Sequence, residues 1–147
     1  MGGDAVCRAI AEMDPAQRLF DQIILAAPDI DRDVFRQQIV PRLGSKARRT
    51  TLYCSRVDWA LTLSYAFNDS PRAGDSSQGI LVFKELDTVD ASDIDTDLLG
   101  HSYYGDCLPV IRDVGLLLEK NPPPPERDLK PAILAEGEPP YWQFPER

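Results

Sequence analysis

The sequence predicts an α/β fold built on a mainly parallel sheet, and three observations carry that expectation. Short continuous apolar runs, Ile23 to Ala27 within DQIILAAPD and the ILVF of residues 80–83, have the unbroken hydrophobicity of strands buried on both faces. Segments with apolar residues at helical spacing stand between them. Helices and strands alternate along the chain, the order of β-α-β units.

The elements follow in order. Ala5, Val6, Ala9, Ile10 and Met13 recur at helical spacing from Asp4 to Met13, and Asp14–Pro15 closes that helix. Pro28 stops the first strand. Asp31 can cap a helix through Val34, Phe35, Gln38 and Ile39, which the sequence predicts to break at Pro41. RTTLYCS, rich in β-branched and aromatic residues, is the next strand. A helix is expected from near Trp59, carrying Leu61, Leu63 and Phe67, before the polar, turn-rich loop of residues 68–79. ILVF is then a buried-type strand and LDTVDAS a more polar extended piece. An acidic loop leads through Tyr103 and Tyr104 to a helix from about Leu108 to Glu119. NPPPP makes a stiff spacer, and the tail YWQFPER is aromatic enough to dock. The expected division is a domain at 1–120 followed by a Pro-rich spacer and aromatic tail at 121–147.

Composition excludes several functions. The 147 residues suffice for one domain, with 43% hydrophobic and 27% charged residues. No apolar run approaches the roughly 18 residues of a membrane span, and the N-terminus lacks the basic start and apolar stretch of a signal peptide. Met-Gly-Gly does not complete a myristoylation motif, because Val6 stands where Ser or Thr is required. A formal net charge of −8 opposes nucleic-acid binding, and Lys46 to Arg49 (KARR) reads as a solvated run leading into a strand. Cys7, Cys54 and Cys107 are an odd number without metal-ligand spacing, which excludes a disulfide framework.

Candidate chemistry narrows quickly. Asp93, Asp95 and Asp97 alternate like the opening of a calcium loop, but Leu98 and Tyr104 stand at the required glycine and glutamate positions. The DIDRD run from Asp29 fails likewise, at Val34 and Val40. No Gly-rich phosphate cradle is present. One histidine does not make a histidine metal site, so no cofactor and no metal are expected. Cys54 and Cys107 read as small core residues before nucleophiles. Asp58 and His101 remain. Asp58 follows a predicted parallel strand on the loop before a helix, where catalytic groups of open α/β sheets collect. His101 follows the last of those strands, and a carboxylate accepting its N–H would fix the tautomer and stabilise the imidazolium. Acid before histidine is the later part of the Ser, Asp, His order of α/β-hydrolases. Aspartates follow strands often, so order and spacing alone leave the pairing open.

The segments FDQIILAAPDIDRDVFRQQIVPRL, RRTTLYCSRVDWALTLS and DTVDASDIDTDLLGHSYYGD together resemble the C-terminal half of a bacterial α/β-hydrolase family. Its members are described as esterase/lipase-superfamily enzymes and were long catalogued as a domain of unknown function. The likeness runs from the first residue to about the polyproline spacer and is densest between Phe20 and Asp106. It implies a partial α/β-hydrolase fold, the last three or so strands of a mainly parallel sheet with flanking helices. By the resemblance Asp58 is the triad acid and His101 the base, with Asp29 as fallback acid. Asp29 otherwise reads as a helix cap or loop carboxylate.

The family's nucleophile elbow commonly reads Gly-His-Ser-Met-Gly, and Met1–Gly2 match its last two positions. The resemblance therefore implies that the chain begins one residue after the serine. Met1 is then the remnant of the oxyanion hole, and Ser102, beside the histidine rather than on an elbow, reads as a loop hydroxyl. The strand Gln22 to Ala26 would lose its serine-bearing neighbour and expose an edge open to self-association.

Three functional readings follow. The first is the C-terminal region of a serine hydrolase for a small acyl or ester substrate, inactive alone without its serine. The second is a non-catalytic binding or assembly module using the exposed edge. The third is a cysteine hydrolase through Cys54 or Cys107. Localisation stays open, because any signal would lie in the missing half.

Overall fold

The computed structural model describes residues 2–14, 17–56, 70–94 and 108–145. Five strands form one sheet: β1 (Phe20–Ala26), β2 (Ala47–Cys54), β3 (Asp87–Asp90), β4 (Lys130–Ala132) and β5 (Tyr141–Gln143), in the order β1-β2-β3-β5-β4. Neighbours from β1 through β3 to β5 are parallel, and β4 closes the far side antiparallel to β5. This is the expected α/β architecture with a mainly parallel sheet and flanking helices. The aromatic tail docks as β5, paired with β3 on one side and with β4 on the other.

The pleat sorts the apolar runs onto two faces. Ile23, Leu25 and Leu52 enter one core, while Ile24, Tyr53 and Val89 enter the other. Side chains that enter cores on both faces are apolar at successive positions, which is why Ile23, Ile24 and Leu25 run without polar alternation.

Helix α1 (Gly2–Glu12) and the helical segment 32–43 (α2) cover the first face. Cys7 and Ile10 of α1 meet Phe35, Ile39, Val40 and Leu43 of α2 there. Lys46 fastens the end of α1, its Nζ donating to the carbonyls of Met13 (2.7 Å) and Asp14 (2.5 Å). A cation suits the carbonyl-rich end of a helix. The solvated reading of the Lys46 to Arg49 run is thus corrected: Lys46 is buried, and Arg49 is bonded to Asp87 (2.6 Å), leaving Arg48 exposed.

Asp31 caps α2 as expected, its Oδ1 accepting the N–H groups of Asp33 (3.0 Å) and Val34 (2.9 Å). The expected break at Pro41 does not occur. The chain widens into a π-helical turn at Phe35–Ile39, then continues as α-helix over Val40–Leu43. Pro41 falls at the start of that last stretch, where its missing N–H costs little.

Helix α3 (Leu108–Lys120) covers the second face with Val110 and Leu117, against Tyr53, Val89 and Leu129. Asp113 sits among these apolar residues and is buried. Its counter-ion is Arg127, delivered by a 3-10 turn at Pro124–Glu126 and wholly buried. Arg127 Nε donates to Asp113 Oδ1 (2.8 Å) and Nη2 to Oδ2 (2.5 Å), a two-point clasp. Tyr53 completes it, its hydroxyl donating to Asp113 Oδ2 (2.6 Å). Burial alone would lower the pKa of Arg127, but its bond to Asp113 raises it above the ordinary value. Burial, then the Asp113 charge, raise the Tyr53 phenol well above its usual range.

One strand differs from expectation. ILVF is not a strand, and the ladder forms from Asp87 to Asp90 instead. Both hydrogen-bonding edges of β2 are taken, by β1 and by β3. Residues 80–83 instead run over the first core, with Leu81 buried and the Phe83 ring edge-on to Phe35 at 6.2 Å. Thr88 Oγ1 donates to Leu81 O (2.7 Å), binding this segment to β3. The helix expected from near Trp59 lies outside the described residues.

Candidate functional site

The carboxyl ends of β1, β2 and β3 share one edge of the sheet, and the chain from Pro71 to Ser76 is laced along it. Ala73 N–H donates to Ile30 O (2.8 Å), Gly74 N–H to Pro28 O (3.1 Å) and Ser55 N–H to Gly74 O (3.0 Å). The approach is close enough that a Cβ on Gly74 would stand 2.4 Å from the backbone of Ala27, so glycine is required there. Ala27 itself has φ of 38°, a left-handed conformation unusual for a residue with a side chain. The chain turns sharply there, at the end of β1, toward Asp29.

Beyond β1, Asp29 forms an ion pair with Arg72 (3.2 Å). Asp31 is held below the usual carboxylate pKa, first by the Val34 N–H. The fallback acid is therefore a loop carboxylate engaged by an arginine, and the helix cap is its neighbour Asp31.

Beyond β2 and β3 lies a second polar cluster, centred on Asp90 and Ser92, both buried. Asp90 Oδ1 accepts from the backbone N–H of Ser92 (3.1 Å) and from its hydroxyl (2.5 Å). Ser92 Oγ in turn accepts the backbone N–H of Arg56 (3.0 Å). With the Ser92 proton committed to Asp90, the Ser76 hydroxyl, 3.2 Å from Ser92 Oγ, is the donor of that pair. The Arg56 guanidinium is also paired with the Asp93 carboxylate. The segments leaving β2 and β3 are thus tied by a backbone-to-hydroxyl bond and an ion pair, two residues before Asp58 on one side and eight before His101 on the other.

Asp58, His101, Met1, Ser102 and Cys107 lie outside the described residues. Among the described residues no group of three or more histidine, cysteine or acidic side chains is placed to hold a metal ion. No described helix is long and apolar enough to cross a membrane. Cys54 is buried, and burial followed by the Asp90 charge raises its thiol far above the ordinary range. That environment opposes the thiolate a cysteine nucleophile needs.

Sequence reasoning missed the Asp90–Ser92 cluster by treating LDTVDAS only as extended chain. The signal was present in Asp-Ala-Ser, an aspartate whose side chain can accept the N–H two residues on. The bond from Arg56 had no signal, because it joins positions 36 apart in sequence.

Compared with protein-family models, residues 1–116 match the family described as alpha/beta hydrolase of unknown function (DUF900). Comparison with curated proteins and with solved structures gives no match.

Proposed function

This chain belongs to the alpha/beta hydrolase family, and we propose that it carries the acid and base of a serine hydrolase, Asp58 and His101, acting on an ester or related acyl bond. The observation that supports this most is the parallel register of β2 with β3, Thr51 opposite Asp87 through Cys54 opposite Asp90. Parallel neighbours end at the same edge, so the segments bearing Asp58 and His101 leave side by side. Asp58 comes four residues after Cys54, a reach of at most about 14 Å from the strand end.

On this reading the His101 imidazole takes the proton of the serine hydroxyl as it attacks the acyl carbon, then returns it to the leaving group. Asp58 accepts the other imidazole N–H and stabilises the imidazolium. Asp29 fits the acid's part less well, because Arg72 already engages it. By the resemblance the nucleophile is a serine on the family elbow, whose last two residues match Met1 and Gly2. Helix α1 beginning at Gly2 supports that placement, since an elbow runs directly into a helix.

Because His101 is the only histidine, its imidazole proton resonance reports the pairing without interference. The expected result is an imidazole pKa that falls by about one unit in Asp58→Asn, since a neighbouring carboxylate favours the charged ring. Superimposable titrations of the two proteins would sink the assignment. Reading the coding sequence upstream of Met1 for Gly-His-Ser tests the nucleophile separately.

A second reading, an assembly module, rests on β1 standing at the edge of the sheet with β2 as its one strand neighbour among the described residues. Pairing of a second copy along Gln22 to Ala26 would make the chain dimeric by light scattering. A monomer at high concentration counts against it.

A further inference from the structure

We infer that Ser92, held by Asp90, is a positioning residue that sets the Asp58 segment against the His101 segment; the inference rests on the Asp58–His101 reading given above. The argument starts from what a serine triad needs. Acid and base come from different strands, and a displacement of about 1 Å between such groups can cost two orders of magnitude in rate. Parallel register fixes β2 against β3 only as far as Cys54 and Asp90. Among the described residues the ladder goes no further, and contacts beyond its end carry the registration outward.

Ser92 supplies it. Its hydroxyl has one proton, which goes to Asp90 Oδ1, and its lone pairs face the Arg56 N–H. Asp90 also takes the Ser92 N–H, so the serine is held at both backbone and side chain before it reaches across to Arg56. The contact is directional: it holds a backbone amide from the segment that continues to Asp58 against a side chain from the segment that continues to His101. Ser76, from the chain laid along the same edge, lies 3.2 Å from Ser92 Oγ and 3.5 Å from Asp90 Oδ1. The Arg56–Asp93 ion pair joins the same two segments outside this contact, but both its side chains are more than half exposed. An exposed pair holds geometry weakly. The buried serine is the hub.

The charged groups described along this edge include Asp29, Arg72 and Asp75 beside Asp90, Asp93 and Arg56, and Ser92→Ala changes none of their charges. A shift of the His101 titration in that variant therefore reports altered geometry rather than a deleted charge. The experiment compares the imidazole pKa in the parent chain, Asp58→Asn, Ser92→Ala and Ser92→Thr, with amide exchange measured at Arg56 and at Leu52 in mid-strand. The expected result is that Ser92→Ala moves the pKa in the same direction as Asp58→Asn, by at least a third as much. Arg56 should lose protection while Leu52 keeps it, and Ser92→Thr, which retains the hydroxyl, should restore both. A shift in Asp58→Asn with none in Ser92→Ala overturns the positioning role and leaves the acid–base pair standing. No shift in either variant overturns the pair itself, and the positioning role with it. Should Ser92→Ala fail to fold, Ser76→Ala, at the half-buried end of the same cluster, replaces it: a smaller shift in the same direction supports the role, and an unmoved titration overturns it.

Discussion

Two carboxylates anchor polar clusters in this chain, and they do so in opposite ways. Asp113 lies beneath α3 with a full counter-charge, Arg127, clasped at two points and joined by the Tyr53 hydroxyl. Asp90 lies at the carboxyl edge among hydroxyls and one amide, with no cation bonded to it among the contacts described. The first cluster is sealed by protein, with Asp113 and Arg127 both buried, and the second grades outward to the half-exposed Arg56 and Asp93. A buried ion pair holds its elements rigidly, because neither charge can be left alone in a low-dielectric core. A hydroxyl relay holds position at lower stakes and tolerates partial exposure. The comparison separates what holds a helix to the sheet from what ties the segments leaving its carboxyl edge.

The sharpest way to break that distinction is Arg127→Ala. It strands the Asp113 carboxylate in the core, and about 3–5 kcal/mol of stability should be lost in urea unfolding at neutral pH. Replacing both partners, Arg127→Met with Asp113→Leu, should recover much of that loss, because no unpaired charge remains. A single replacement as mild as the double would mean that water already reaches the site. Tyr53→Phe tests the third member. It removes the bond donated to Asp113 and the longer one accepted from Arg127 (3.3 Å), and should cost about 2 kcal/mol in the same measurement.

At the open edge the expected numbers fall. Ser92→Ala removes a hydrogen bond to the Asp90 carboxylate and the acceptor of the Arg56 amide; it should lower stability by about 1.5 kcal/mol, the low end for a bond to a charged group at a partly open site, while producing the local loss of exchange protection at Arg56. If it costs as much as Arg127→Ala, the two clusters do not differ in kind. Smallest of all is the pH effect at Asp31. Its folded pKa is lowered, chiefly by the Val34 N–H, so its contribution is present above the unfolded value of about 3.9. That contribution is lost as pH falls through the lower folded value. Asp31→Asn keeps an acceptor at the cap but should flatten this part of the acid limb in thermal melts below pH 4.

Much of the architecture was legible in local pattern. The apolar run of β1, the β-branched stretch of β2 and the helical spacing of α1 and α3 each reflect burial that the sequence must encode. The cap at Asp31 was legible for the same reason, since a cap is a contact between residues two or three apart. What failed depended on partners distant in sequence. ILVF has the composition of a strand, but β2 had no edge left for it. Lys46 looked solvated within a basic run until α1 supplied carbonyls to receive it. Arg127 and Asp113 are 14 residues apart across a proline run that reads as a spacer, so nothing local announced the clasp. A charged residue on the inward face of an amphipathic helix was the available hint, because such a residue requires a partner.

For the site, the sequence supplied residue types and order, and the sheet register supplied adjacency. The register sets the ends of β2 and β3 side by side, ahead of Asp58 and of His101 in the chain, while the relay that ties Arg56 to Ser92 spans 36 positions and could not be read from either segment.

The clasp beneath α3 also bears on how this protein can be cut. The family match ends at residue 116, three positions past Asp113, and the guanidinium that neutralises Asp113 arrives only at Arg127. Leu117 and Leu129, both in the same core, likewise fall beyond the match. Kinship and cohesion therefore have different boundaries here. A piece trimmed to the recognisable residues would keep a negative charge in its interior and discard the group that compensates it. The residues of this chain that match the family are fewer than those that share its core.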